Sequence, residues 1–226
     1  MAPRPRLVTL LRTPDVVSLT NTALGFAAVT FLLSGDTDTA ARLVLIAGVA
    51  DGLDGILARQ SGTSQIGVEL DSLADAVSFG LVPASLVYVL TRGEYTYISV
   101  LPVVFLLSAV VRLAVYNVKD SDSPGFTGVP STLSGITVAS AYLSDLGTPS
   151  VFFVGLTSVL AYLMVIDTSY PDLRERDAVL MGGLIGASGV FPDVAGSALP
   201  RLLLVFLVLF VVGGSSLYPN PEKEGH

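Results

Sequence analysis

Apolar residues run along this chain in long blocks separated by short polar segments, rather than alternating with polar residues one by one. The blocks cover roughly residues 16–34, 39–59, 68–90, 97–117, 131–147, 150–166, 178–191 and 199–213. Continuous runs of this kind predict helices, not the period-two strands of a membrane barrel. Crossing a bilayer takes about 20 residues, so the last two blocks are short for a span. The pattern predicts an all-α polytopic membrane helix bundle of about eight transmembrane helices, with six or seven as the lower count. Glycine and serine recur inside the blocks, which suits close helix approach in lipid. A secretory leader would be one apolar core followed by a cleavage site; here the blocks continue along the chain. Residues 1–226 therefore read as a single integral membrane domain.

Composition supports the bilayer as solvent. Hydrophobic residues make up 51% of the chain and charged residues 14%, against about 25% charged in ordinary soluble domains. Mean hydropathy is +0.71. The net charge of -7 argues against nucleic acid as a partner. There is no cysteine, which removes disulfides, thiolate catalysis and cysteine-based zinc sites together. The lone histidine, His226, is the last residue. Chemistry must then rest on carboxylates, hydroxyls, arginine or a bound metal.

The basic residues predict orientation. Arg4, Arg6, Arg12, Arg59, Lys119, Arg174, Arg176 and Lys223 fall on one side of an eight-span chain, and Arg42, Arg92 and Arg201 at or near the other. The first group marks the cytoplasmic face, so a multi-pass protein of the cell membrane with both termini in the cytoplasm is expected.

Four aspartates interrupt the apolar pattern at the cytoplasmic ends of the second and third blocks: Asp51, Asp54, Asp71 and Asp75. A charge at the centre of a membrane helix costs about 2.5–3.5 kcal/mol on insertion scales, less near the interface, so something must offset these four. Asp51 and Asp54 are spaced i, i+3, and Asp71 and Asp75 i, i+4, so each pair shares a helix face. The two blocks run in opposite directions, which brings both pairs to the same depth. An oxygen-rich cage of this kind suits Mg²⁺ or Mn²⁺. Interhelical ion pairing, for which Arg59 is the cation nearby in sequence, and cation transport are the other readings of the same residues.

The intervening residues narrow the choice. The stretch reads Asp51, two residues, Asp54-Gly55, two residues, Ala58-Arg59, seven residues, Gly67, three residues, Asp71, three residues, Asp75. This resembles the signature of the CDP-alcohol phosphotransferase family, and all eight signature positions match. The resemblance implies that Asp51, Asp54, Asp71 and Asp75 hold two metal ions, Mg²⁺ or Mn²⁺. It also implies that Asp54, Gly55, Ala58, Arg59 and Gly67 bind the CDP group. Small side chains at Gly55 and Ala58 leave room for a nucleotide, Gly67 is expected to let the connecting loop turn tightly, and Arg59 can pair with phosphate or with the acidic cage. A homodimer is the assembly that the resemblance implies.

The flanking residues resemble the phosphatidylserine synthase branch of that family. Leu70 to Asp75 leads into Phe79-Gly80 and Pro83-Ala84; Arg112-Leu113-Ala114-Val115-Tyr116-Asn117 and Phe126-Thr127-Gly128-Val129-Pro130-Ser131 follow. The resemblance covers roughly residues 14–173 and departs at Asp15 and Ser18, where the family often carries asparagine and threonine. It implies transfer of a phosphatidyl group, or an archaetidyl group on isoprenoid ether tails, from a CDP-lipid to L-serine with release of CMP. Arg112 is then expected to pair with the serine carboxylate, Asn117 to meet its amine or hydroxyl, and Asp75 to act as general base as well as metal ligand. Inositol phosphate or glycerol phosphate would be the acceptor on the same fold if several arginines clustered there. A carboxylate-lined cation transporter is the non-enzymatic alternative, and it leaves Gly55, Ala58, Arg59 and Gly67 unexplained.

Overall fold

The computed structural model describes residues 11–94, 97–120, 126–170, 175–191 and 197–217. Eight helices account for nearly all of these residues. We number them α1 (Thr13–Ser34), α2 (Thr37–Ser61), α3 (Gly67–Thr91), α4 (Pro102–Val115), α5 (Ser131–Leu143), α6 (Ser150–Val165), α7 (Glu175–Val190) and α8 (Ala198–Leu217). Each lies on one of the eight apolar blocks. The basic residues Arg4, Arg6, Arg174 and Lys223, used above for orientation, lie outside the described residues.

Two helices contain π-helical turns. In α3 the segment Ala76–Leu81 is π-helical, and α4 continues into a π-helical turn at Tyr116–Asp120. One extra residue per turn re-aims the side chains that follow, and such segments often accompany functional sites. One departure from an all-helical chain is a minimal antiparallel pair, β1 (Phe126–Thr127) with β2 (Ser169–Tyr170). It anchors the loop before α5, where Gly128 takes φ 72°. There its N–H donates to the Thr168 carbonyl at 2.8 Å, while the Val129 N–H donates to Leu163 at 2.9 Å. A Cβ at Gly128 would lie 2.4 Å from the Met164 carbonyl oxygen, so only glycine fits.

Helix ends follow local chemistry. Asp15 sits at the third position of α1 and accepts from the Arg12 N–H at 2.5 Å, with Pro14 in the first turn. Gly35 closes α1 in the left-handed conformation, and Asp36 then caps α2 by accepting from the Thr39 N–H at 3.0 Å. The α1–α2 hairpin is therefore tight.

Two apolar cores hold the bundle. One joins α1, α2, α3 and α5 to α7 and α8 through residues such as Leu45, Phe79, Ile136, Ile185 and Leu207. The other joins α3, α4, α5 and α6 through Val87, Phe105, Val138, Phe153 and Met164. α5 is buried along almost its whole length and belongs to both. Among the described residues, α1 and α3 are long and apolar enough to cross a membrane, while α4, α6, α7 and α8 carry shorter apolar stretches. α2 has the length but carries Asp38, Arg42, Asp51, Asp54 and Arg59. Large side chains such as Leu33, Leu107, Val159 and Leu209 point outward, as they do on helices solvated by lipid.

Candidate active site

Where α1, α2 and α3 meet α4, α5 and α7, a cavity of about 780 Å³ opens. Every residue singled out in the sequence lines it: Asp51, Asp54, Gly55, Ala58, Arg59, Gly67, Asp71, Asp75, Arg112 and Asn117. Packing of α1 against both α2 and the start of α3 brings residues far apart in sequence to this cavity.

The four aspartates are not equivalent. One carboxylate oxygen from each of Asp51, Asp71 and Asp75 lies within 4.8 Å of the others. Asp54 lines the same cavity but lies outside that trio, and it accepts a hydrogen bond from the Ser18 hydroxyl on α1. The Asp71 Oδ1 atom is buried and has no hydrogen-bond partner. Three carboxylates so close repel one another, and a buried acceptor without a donor is costly. A hard divalent cation removes both penalties at once, so the donor set fits one.

Asp75 is buried on α3 immediately before the π segment. Its Oδ1 atom accepts from the Asn21 amide at 3.4 Å and its Oδ2 atom from the Thr132 hydroxyl at 3.1 Å. Sequence reasoning missed Asn21, Thr132 and Ser78. A polar residue recurring inside an apolar block was the available signal at Asn21.

Arg112 is buried near the end of α4. It donates to the Ser131 hydroxyl at 3.4 Å and lies over the Tyr116 ring, 5.7 Å from its centroid. Asn117, in the π turn that follows, accepts from the Ser72 hydroxyl at 3.1 Å, which ties α4 to α3 one residue past Asp71.

The turn expected at Gly67 lies elsewhere, and Asp15 gains a role. The left-handed residue of the α2–α3 loop is Gly62, at φ 75°, and Gly67 is not in that region. Gly67 is instead packed: a Cβ there would lie 3.1 Å from Asp15 Oδ1 and 3.4 Å from Thr63. Asp15 itself accepts from Ser64 at 3.0 Å as well as from the Arg12 N–H. This acid fastens the start of α1 to the α2–α3 loop, which gives the departed N-terminal motif a structural task.

Comparison with known proteins adds the family of the chain. The family model for CDP-alcohol phosphatidyltransferase matches residues 11–169. The chain is 31% identical over 172 residues to a protein of Methanothermobacter thermautotrophicus named archaetidylserine synthase, covering 74% of this chain and 72% of the relative. A Bacillus subtilis protein named CDP-diacylglycerol–serine O-phosphatidyltransferase is 29% identical over 167 residues, covering 73% and 93%. One of the same name from Helicobacter pylori is 30% identical over 172 residues, covering 72% and 73%.

Proposed function

Because the chain belongs to the CDP-alcohol phosphatidyltransferase family, we propose that it transfers a phosphatidyl or archaetidyl group from a CDP-activated lipid to L-serine and releases CMP. The names of its relatives specify serine. The observation that carries the reading is a cavity in which Asp51, Asp71 and Asp75 converge and which Arg112 also lines.

In this reaction Asp75 removes the proton from the serine hydroxyl, whose oxygen attacks the β-phosphorus of the CDP-lipid. The new phosphorus–oxygen bond forms as the bond to the CMP phosphate breaks, and CMP leaves with the electron pair. Asp51, Asp54, Asp71 and Asp75 would hold two ions, Mg²⁺ or Mn²⁺, which would supply Lewis-acid neutralisation of negative charge on the substrate phosphates. Arg112 pairs with the serine carboxylate, for which its planar fork is suited, and Asn117 receives the amine. On the other side of the cavity, Gly55 and Ala58 leave space for the cytidine, Arg59 meets phosphate, and Gly67 keeps the loop close to Asp15. Among the described residues the cations lining the cavity are Arg59 and Arg112, a sparse set for a phosphorylated acceptor.

The eight helices each cross the bilayer in this reading, with residues 1–226 acting as one domain, the termini and the active site on the cytoplasmic side. A homodimer is the assembly of this reading, as the family resemblance implies. The test is purified protein with Mn²⁺, CDP-diacylglycerol or CDP-archaeol, and serine, inositol phosphate or glycerol phosphate. CMP release with serine alone is expected, and release with a phosphorylated alcohol instead would overturn the acceptor. The preferred lipid is read from the same assay.

A further inference from the structure

Asp75 is gripped from two sides by side chains outside the eight-position signature. Asn21 on α1 donates to one carboxylate oxygen, and Thr132 on α5 donates to the other. Both donors are neutral, so they orient the carboxylate without cancelling its charge. Each oxygen keeps a further lone pair for substrate or metal. The torsion that turns a carboxylate about its own axis is soft, and two donors on opposite oxygens fix it.

Each donor is paired with a glycine on the same helix face. Asn21 and Gly25 are spaced i, i+4, and Thr132 and Gly135 i, i+3. Both glycines press on the π segment that begins right after Asp75. A Cβ at Gly25 would lie 2.7 Å from Ser78 Oγ and 2.9 Å from Val77 Cγ1, and one at Gly135 would lie 2.8 Å from Phe79 Cα. The Ser78 hydroxyl also donates to the Asn21 main-chain carbonyl at 3.0 Å, locking α1 to that segment. Close approach at the glycines thus delivers the two donors to Asp75.

We propose, resting on the reading of Asp75 as the base, that Asn21 and Thr132 are positioning residues for its carboxylate, with Gly25 and Gly135 setting their reach. The test compares Thr132→Val, which keeps the volume and loses the hydroxyl, with Thr132→Ser, and Asn21→Leu with Asn21→Asp. Misplacing a reacting group costs up to about 10²-fold, so Thr132→Val should lower kcat by roughly 10- to 100-fold with each KM within about twofold of wild type. Thr132→Ser should recover most of the rate, and Asn21→Asp, which turns a donor into a second carboxylate, should lose more than Asn21→Leu. Thermal stabilisation by Mn²⁺ plus CMP should persist in the Thr132 variants, showing a folded site that still holds both ligands. In an Asp75→Asn background, Thr132→Val should cost almost nothing further, because the group it positions is gone.

Wild-type kcat in both Thr132→Val and Asn21→Leu would overturn the proposal, as would a Thr132→Val loss that stays fully additive with Asp75→Asn. Should Asn21→Leu fail to fold, Thr132→Val and its Thr132→Ser recovery decide alone, since Thr132 is only partly buried at the cavity wall. A wild-type rate in Asp75→Asn itself would remove the base and the proposal with it. Loss in Asp75→Asn with no loss in the Asn21 and Thr132 variants would remove the proposal and leave the base standing.

Discussion

The two ends of the bundle treat polar groups in opposite ways. At the end away from the cavity, the acids Asp36 and Asp38 and the arginines Arg42 and Arg201 meet partners within the protein, and the buried atoms left over are the Ser140 and Ser188 hydroxyls. The Thr37 hydroxyl and the Tyr142 hydroxyl lie 2.6 Å apart, and Tyr142 donates to Asp38 at 2.7 Å. Arg201 donates to the Ser144 and Asp145 carbonyls at 2.8 and 3.1 Å, and Arg42 to the Ser188 carbonyl at 3.3 Å. The Thr39 N–H holds the Asp36 carboxyl below its usual value. At the cavity end, three carboxylates crowd together and Asp71 Oδ1 and Asn21 Oδ1 are buried without partners. One end spends its acceptors on its own donors and is structural. The other keeps acceptors in reserve, which destabilises the bare protein and readies it for a cation and a substrate.

The strongest way to break this contrast is to remove the reserved acceptors. Asp71→Ala should abolish CMP release, a loss well beyond the 10–100-fold typical of outer-shell changes at metal sites. The same variant should melt no earlier than wild type in metal-free buffer, because a repelling, unpartnered carboxylate is gone. Chelator added to wild type should likewise stop turnover, and full activity in excess chelator would end the metal assignment. Next in size is Asp75→Asn. Its kcat should fall by about 10²–10⁴, the range for loss of a general base, with no recovery at saturating Mn²⁺. Recovery to near the wild-type rate would leave Asp75 as a metal ligand alone.

A smaller effect is expected at Arg112. Arg112→Lys keeps the charge but loses the fork, so KM for serine should rise by about tenfold while KM for the CDP-lipid changes less. Unchanged constants would make Arg112 an anchor between α4 and α5. The smallest effect sharpens the contrast from the other end. Tyr142→Phe removes its contacts to Thr37 and Asp38 and should lower stability by about 0.5–1.5 kcal/mol, seen in thermal melts, with kcat unaltered.

Much of the fold was legible because each apolar block is long enough to declare a helix by itself. All eight blocks became helices, with ends displaced by a few residues where caps such as Asp36 and Gly35 intervene. Of the four aspartates that helical spacing on two opposed segments put in one cage, Asp51, Asp71 and Asp75 converge, while Asp54 lies outside the trio and meets Ser18. The π segments at Ala76–Leu81 and Tyr116–Asp120 were not legible, since a widened turn has no periodicity of its own over five or six residues.

What the sequence determined by itself is therefore local: helices from hydrophobic runs, shared faces from i, i+3 and i+4 spacing, and the acidic signature as a candidate for metal and nucleotide. What the tertiary structure decided is which of those side chains still have an unsatisfied atom. Asp54 is met by Ser18, 36 residues away, Asp15 by Ser64, and Asp75 by Asn21 and Thr132, while Asp71 keeps a bare oxygen. These outcomes depend on how closely α1 and α5 approach α3 at Gly25 and Gly135, a distance set by packing between helices that no single segment encodes.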